Sequence, residues 1–134
     1  MDSTIAIDIE LFLDPTPPAA GSARRALHSA AIFGDAAEPD ALLLISELVT
    51  NSIVHAGHSS SDAIRVRAGH DGSTARVEVC DRARGGSVPQ VQRDTPPTAT
   101  GGRGLMLVDA LSDRWGMDTC ERGTCVWFEL VPDR

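Results

Sequence analysis

The sequence predicts a two-layer α+β sandwich: a mixed, mainly antiparallel sheet with its helices on one face. Three observations carry this. Segments of alternating apolar and polar residues come in adjacent pairs, two helical stretches follow one another directly, and strands and helices do not alternate as a doubly wound sheet requires. The 134 residues suit one domain, and a domain of this size buries roughly two-thirds of the surface its unfolded chain exposes.

Ile5, Ile7 and Ile9 alternate with Ala6 and Asp8, a strand pattern that stops at the breaker run Asp14-Pro15-Thr16-Pro17-Pro18. From Ala19 to about Gly34 the residues suit a helix, with Ala26, Leu27, Ala30 and Ala31 as its inner face. Pro39 is expected to open a second helix, where a missing N–H costs least, and Gly57 to close it after Ala56. Ile64-Arg65-Val66-Arg67-Ala68 and Ala75-Arg76-Val77-Glu78-Val79 read as a hairpin around a turn containing Asp71-Gly72. Residues 82 to 101 show no period and are rich in Arg, Gly, Pro, Gln and Thr, as lids and binding loops are. Gly104-Leu105 opens a third helix through Leu111, and strand patterns near residues 113–119 and 124–131 finish the chain. The expected organisation is a single domain over residues 1–134 with a lid at about 82–101.

Composition removes several function classes. A net charge of −7 and a pI of about 4.9 argue against a phosphate-backbone partner, and aromatics at 4% with no Tyr leave no base-stacking platform. All twelve basic residues are arginine. Without lysine there is no P-loop, no eukaryotic-type kinase strand and no Schiff-base catalyst. Three cysteines, Cys80, Cys120 and Cys125, give an odd count without Cys-x-x-Cys spacing, so reduced thiols are expected rather than a zinc site or a disulfide framework. The start is not basic enough for a signal peptide, and no apolar run approaches the ~18 residues of a membrane span. A cytoplasmic protein with no nucleic-acid or membrane partner is expected.

Four places hold chemistry-bearing residues. In the second helix, Glu47, Asn51 and His55 fall on one stripe at about 3.6 residues per turn, with Leu42, Ile45, Val49, Ile53 and Ala56 opposite. The stripe reads either as a solvated face or as a carboxylate, amide and imidazole suited to a metal–phosphate site. Asp81 shares parity with Val77 and Val79 and therefore points inward at a strand end. Its partner there is either a protein donor or a ligand amine, and Gly85-Gly86 would let backbone approach such a ligand. Gly101-Gly102-Arg103-Gly104 opens a helix, as an anion-binding amide cluster or a flexible joint would. Thr124 shares parity with Val126, Phe128 and Leu130, so its hydroxyl starts an inward face, either as an ordinary strand residue or as a phosphate contact.

Taken together, Glu47-x-x-x-Asn51-x-x-x-His55, Asp81 with trailing glycines, Gly102-x-Gly104-Leu105 and Gly123-Thr124 resemble the motif boxes of the GHKL ATP-binding fold. Leu44-Ile45-Ser46-Glu47-Leu48-Val49-Thr50-Asn51, with Trp115-Gly116, is similar to small actinobacterial relatives of the anti-sigma-factor serine kinases. The resemblance implies ATP and Mg²⁺ as cofactors, with Asn51 coordinating the metal and Glu47 catalytic, acting on the acceptor serine hydroxyl. It implies that Asp81 reads adenine, with His55, Gly85, Gly102, Arg103, Gly104 and Thr124 completing the nucleotide site. It further implies a STAS-type substrate protein and a sigma factor as partners, with homodimerisation by analogy. The pattern departs from the family at Ala83, where Gly is usual, in its short lid bearing Pro89, Pro96 and Pro97, and in the basic pair Arg82 and Arg84. The alternative expectation is a catalytically inactive nucleotide-binding module that sequesters a protein partner.

Overall fold

The computed structural model describes residues 6–56, 63–81, 103–120 and 123–132. In chain order these form β1 (Ala6–Leu13), α1 (Ala19–Ala30), α2 (Gly34–Ala56), β2 (Ile64–His70), β3 (Ala75–Asp81), α3 (Arg103–Leu111), β4 (Arg114–Cys120) and β5 (Gly123–Leu130). The strands lie in the order β1-β2-β3-β5-β4, and every pairing among the described strands is antiparallel. β3 and β5 are thus neighbours in the sheet although α3 and β4 lie between them in sequence.

Alternation explains how the sheet builds its core. Ile64, Val66 and Ala68 of β2, Val77 and Val79 of β3, and Val126, Phe128 and Leu130 of β5 all turn to one side and are buried. Against that side pack Ala23 and Leu27 of α1, Leu44, Ile45, Leu48 and Val49 of α2, and Leu105 and Val108 of α3. Burying each large side chain contributes about 1.5–3 kcal/mol. The expected two-layer α+β sandwich is therefore present, with its helices on one face.

Three local expectations change. α1 ends at Ala30, and Ala31 takes a left-handed conformation (φ 55°) as its cap, donating its N–H to the His28 carbonyl, so Ala31 is exposed rather than inward. α2 begins at Gly34, a turn before Pro39, which sits inside the helix. Pro39 removes one helical hydrogen bond, while Phe33 and Ala41 to either side of it are buried and His28 Nδ1 meets Glu38 Oε2 at 2.7 Å. In β1 the register shifts between Ile7 and Ile9, so strict alternation fails at Asp8. Ile7 is exposed, while Ile9, Leu11 and Leu13 pack on the core. Gly69 is required at this bulge, because a Cβ there would lie 1.9 Å from the Ala6 carbonyl oxygen.

The outer face of the sheet is charged. Arg67 reaches Glu10 at 3.8 Å and Glu78 at 3.7 Å, and Arg65 reaches Glu78 at 3.9 Å. Buried Glu129 pairs with Arg76 at 3.3 Å and with Arg114 at 3.5 Å. The Arg76 guanidinium stacks 4.1 Å from the centre of the Trp127 ring, so that ring is covered by the chain's own arginines. Gly116 leaves room for it: a Cβ there would stand 2.5 Å from the ring.

Candidate functional site

The apolar stripe of α2 sets the position of its polar residues. Ala41, Leu44, Ile45, Leu48, Val49 and Ser52 are buried, whereas Leu42 and Ile53 are only half-buried. The buried stripe is therefore rotated toward Leu44 and Leu48. As a result Glu47 and Asn51, four residues apart on one side of the helix, are half-buried beside it rather than solvated on the far face. His55 lies in the last turn of α2, and its side chain is outside the described residues. α2 packs against β3, β5 and α3, so the elements carrying the other candidates surround it.

Asp81 ends β3 and Thr124 lies at the start of β5, and the two are register partners. Cross-strand partners stand on the same face, here the face that holds Val77, Val79, Val126 and Phe128. Thr124 is buried, Asp81 is half-buried, and the Asp81 Oδ1 atom is sealed from solvent. A carboxylate and a hydroxyl thus sit side by side on the helix-covered face, where the alternation predicted each of them.

The third candidate segment begins α3. Leu105 and Val108 are buried and fix the helix against the core, leaving the amides of its first turn without helical partners. Arg103 and Gly104 are its first residues, and their side chains are outside the described residues. Gly85, Gly102, Ala83 and the expected lid at 82–101 also lie outside them. Trp115 Nε1 donates to Asp109 Oδ1 at 3.0 Å, which ties β4 to α3 and gives the Trp115-Gly116 pair two separate structural duties.

The cysteines contradict the expectation of reduced thiols. Cys80 and Cys125 are disulfide-bonded, with Cα atoms 4.0 Å apart, as directly opposed residues of β3 and β5. Spacing could not reveal this, because the pair is made by a sheet neighbourhood that skips α3 and β4. Glu78, Cys80 and Cys125 are the one grouping of metal-type donors found among the described residues. In this state the sulfurs bond to each other, and Glu78 is bridged by Arg65 and Arg67, so the grouping is not a cation site. No described helix is long and apolar enough to cross a membrane.

Comparison with known proteins adds the following. A family profile described as the histidine kinase-like ATPase domain matches residues 13–130. The fold is similar to a structure of the RsbU and RsbW domains of Rv1364c from Mycobacterium tuberculosis, with a TM-score of 0.68 and 26% identity over 94% of this chain and 32% of that one. It is also similar to the histidine kinase domain of the blue-light activated histidine kinase of Erythrobacter litoralis EL346, with a TM-score of 0.53 and 22% identity over 84% of this chain and 58% of that one. The chain therefore spans less than two-thirds of either structure. No curated protein matches it by sequence.

Proposed function

The chain belongs to the histidine kinase-like ATPase domain family, and from that premise we propose that it is an ATP-dependent protein serine kinase of the anti-sigma-factor type. Its acceptor is a serine on a small STAS-type protein and its second partner a sigma factor, which puts its action in the cytoplasm. The observation that carries this reading is the inward-facing pair of Asp81 and Thr124, next to a helix whose Glu47 and Asn51 are half-buried.

The donor set fits a nucleotide held with its metal. The chain has no lysine to meet phosphates, and offers instead a carboxylate, a hydroxyl, an amide oxygen and the backbone amides of a helix start. Bound ATP with Mg²⁺ supplies the transferable phosphoryl group and the neutralisation that its transfer requires. In the proposed assignment Asp81 accepts a hydrogen bond from the exocyclic amine of the base, and Thr124 adds a hydroxyl beside it. Asn51 offers its side-chain oxygen to the cation. Gly102, Arg103 and Gly104 are assigned to the phosphates, and His55 and Gly85 to the rest of the nucleotide. Glu47 would orient the acceptor hydroxyl and take its proton as the serine oxygen bonds the γ-phosphorus and the bond to the departing ADP breaks.

A nucleotide-binding module that sequesters a protein without phosphorylating it is the second reading. Ala83, where related boxes carry Gly, favours it. Phosphotransfer from labelled ATP to a candidate STAS-type protein separates the two. Label on the acceptor serine supports the kinase, and saturable ATP binding without transfer supports the module.

A further inference from the structure

The Cys80–Cys125 bond occupies a particular place in the sheet. It crosses from β3 to β5 one register position from Asp81 and Thr124, and joins the two strands that carry them. Because successive residues alternate, the sulfurs lie on the outer face while Asp81 and Thr124 lie on the helix-covered face. Both cysteines are half-buried rather than sealed in the core. The bond thus lies at the end of the central strand pair, where β3 stops and β5 begins.

The charges around the two sulfurs differ. Arg65 of β2 stands opposite Cys80, and Asp118 of β4 stands opposite Cys125. The carboxylate of Glu78 is within 4.8 Å of both sulfurs and is itself bridged by Arg65 and Arg67. A guanidinium neighbour stabilises a departing thiolate and a carboxylate neighbour opposes one. The register places a basic residue beside Cys80 and an acidic one beside Cys125, which favours Cys80 as the leaving sulfur and Cys125 as the one attacked.

We propose that Cys80 and Cys125 form a reversible thiol–disulfide modification site that sets how firmly Asp81 and Thr124 are held together. Its consequence for ATP rests on the assignment of those two residues to the nucleotide site. A thiolate of a dithiol reductant attacks Cys125 Sγ, the S–S bond breaks, and the Cys80 thiolate leaves and takes up a proton. The second thiol of the reductant then closes its own disulfide and releases the Cys125 thiolate. Two electrons and two protons pass to the protein and the dithiol is oxidised. A low-molecular-weight disulfide such as oxidised glutathione reverses the step. The oxidised form keeps the strand ends paired and the nucleotide residues pre-organised, and the reduced form lets them fray.

The test uses the full chain, as wild type and as Cys120→Ser, equilibrated with oxidised glutathione or with dithiothreitol. Peptide mass analysis establishes the pairing, amide hydrogen exchange is followed across residues 79–81 and 123–126 without nucleotide, and ATP is titrated calorimetrically. Reduction is expected to speed exchange in those segments and weaken ATP binding, each about fivefold or more, with reoxidation restoring both. A monothiol adduct is expected on Cys125. Unchanged exchange between the two forms, or failure of Cys80 and Cys125 to pair under oxidising conditions, overturns the proposal. Absence of ATP binding in both forms refutes the nucleotide assignment instead, and the exchange measurement still decides the redox proposal.

Discussion

Asp81 and Thr124 face each other across the β3–β5 ladder, although they are far apart in sequence. Asp81 ends and Thr124 opens an alternating run whose apolar members are buried beneath the helices, so the same pattern that builds the core places a carboxylate and a hydroxyl at its margin. Burying a carboxylate or a hydroxyl costs free energy unless it is hydrogen-bonded, so polar residues at this margin are held to specific partners.

If Glu47 acts on the acceptor hydroxyl, Glu47→Gln lowers phosphoryl transfer by about 100-fold or more while ATP affinity changes less than about twofold. Transfer rates and calorimetric affinities of the same preparation check this. Equal losses in both would make Glu47 a binding or structural residue.

Gly116→Ala places a methyl group 2.5 Å from the Trp127 ring, which is held by Arg76 and Arg114. The expected loss is about 1–3 kcal/mol in urea unfolding. Adding Trp127→Leu removes the clash, so the double variant should lose less than the sum of the two single changes. Strict additivity would contradict the contact.

Two phenylalanines separate burial from hydrophobicity. Phe128 is 0% exposed and Phe12 is 67% exposed. Phe128→Ala should cost about 3–5 kcal/mol, a large part of the stability of a small domain, and Phe12→Ala about 0.5 kcal/mol or less. Chemical denaturation of the two variants checks the contrast.

The β2–β3 turn carries a pH signature. Backbone N–H groups of Ser73 and Thr74 hydrogen-bond the Asp71 carboxylate at 3.0 and 2.8 Å and hold its pKa below the ordinary aspartate range. A lowered folded-state pKa means the stabilisation is fully present above the unfolded-state value and is lost as pH falls through the folded one. The melting-temperature gap between wild type and Asp71→Ala should therefore be open at about pH 6 and narrow below about pH 4. A gap that stays constant from about pH 6 down to about pH 2 would contradict the assignment.

Much of this architecture was legible in the chain. Alternation placed Val77, Val79 and Asp81 on one face and Thr124 with Phe128 on the same side, because strand parity is a local property. The helix boundaries were less so: Pro39 reads as a helix start, yet tertiary burial of Phe33 and Ala41 carries α2 a turn further back. The bulge at Asp8 depends on the close approach of β1 to Gly69, which no pattern within β1 records. The Cys80–Cys125 bond was hidden for the same reason, since it needs the β3–β5 neighbourhood. Glu47 and Asn51 could be aligned from sequence, but their half-burial follows from how Leu44 and Leu48 rotate α2 onto the sheet.

The most direct test of the central claim is a calorimetric titration of the chain with ATP, with and without Mg²⁺, beside Asp81→Ala. The account predicts saturable, Mg²⁺-dependent binding to wild type and at least about a tenfold loss in the variant, with its circular dichroism unchanged. Equal affinity for ATP in a folded Asp81→Ala, or no binding to wild type at millimolar ATP, would contradict it.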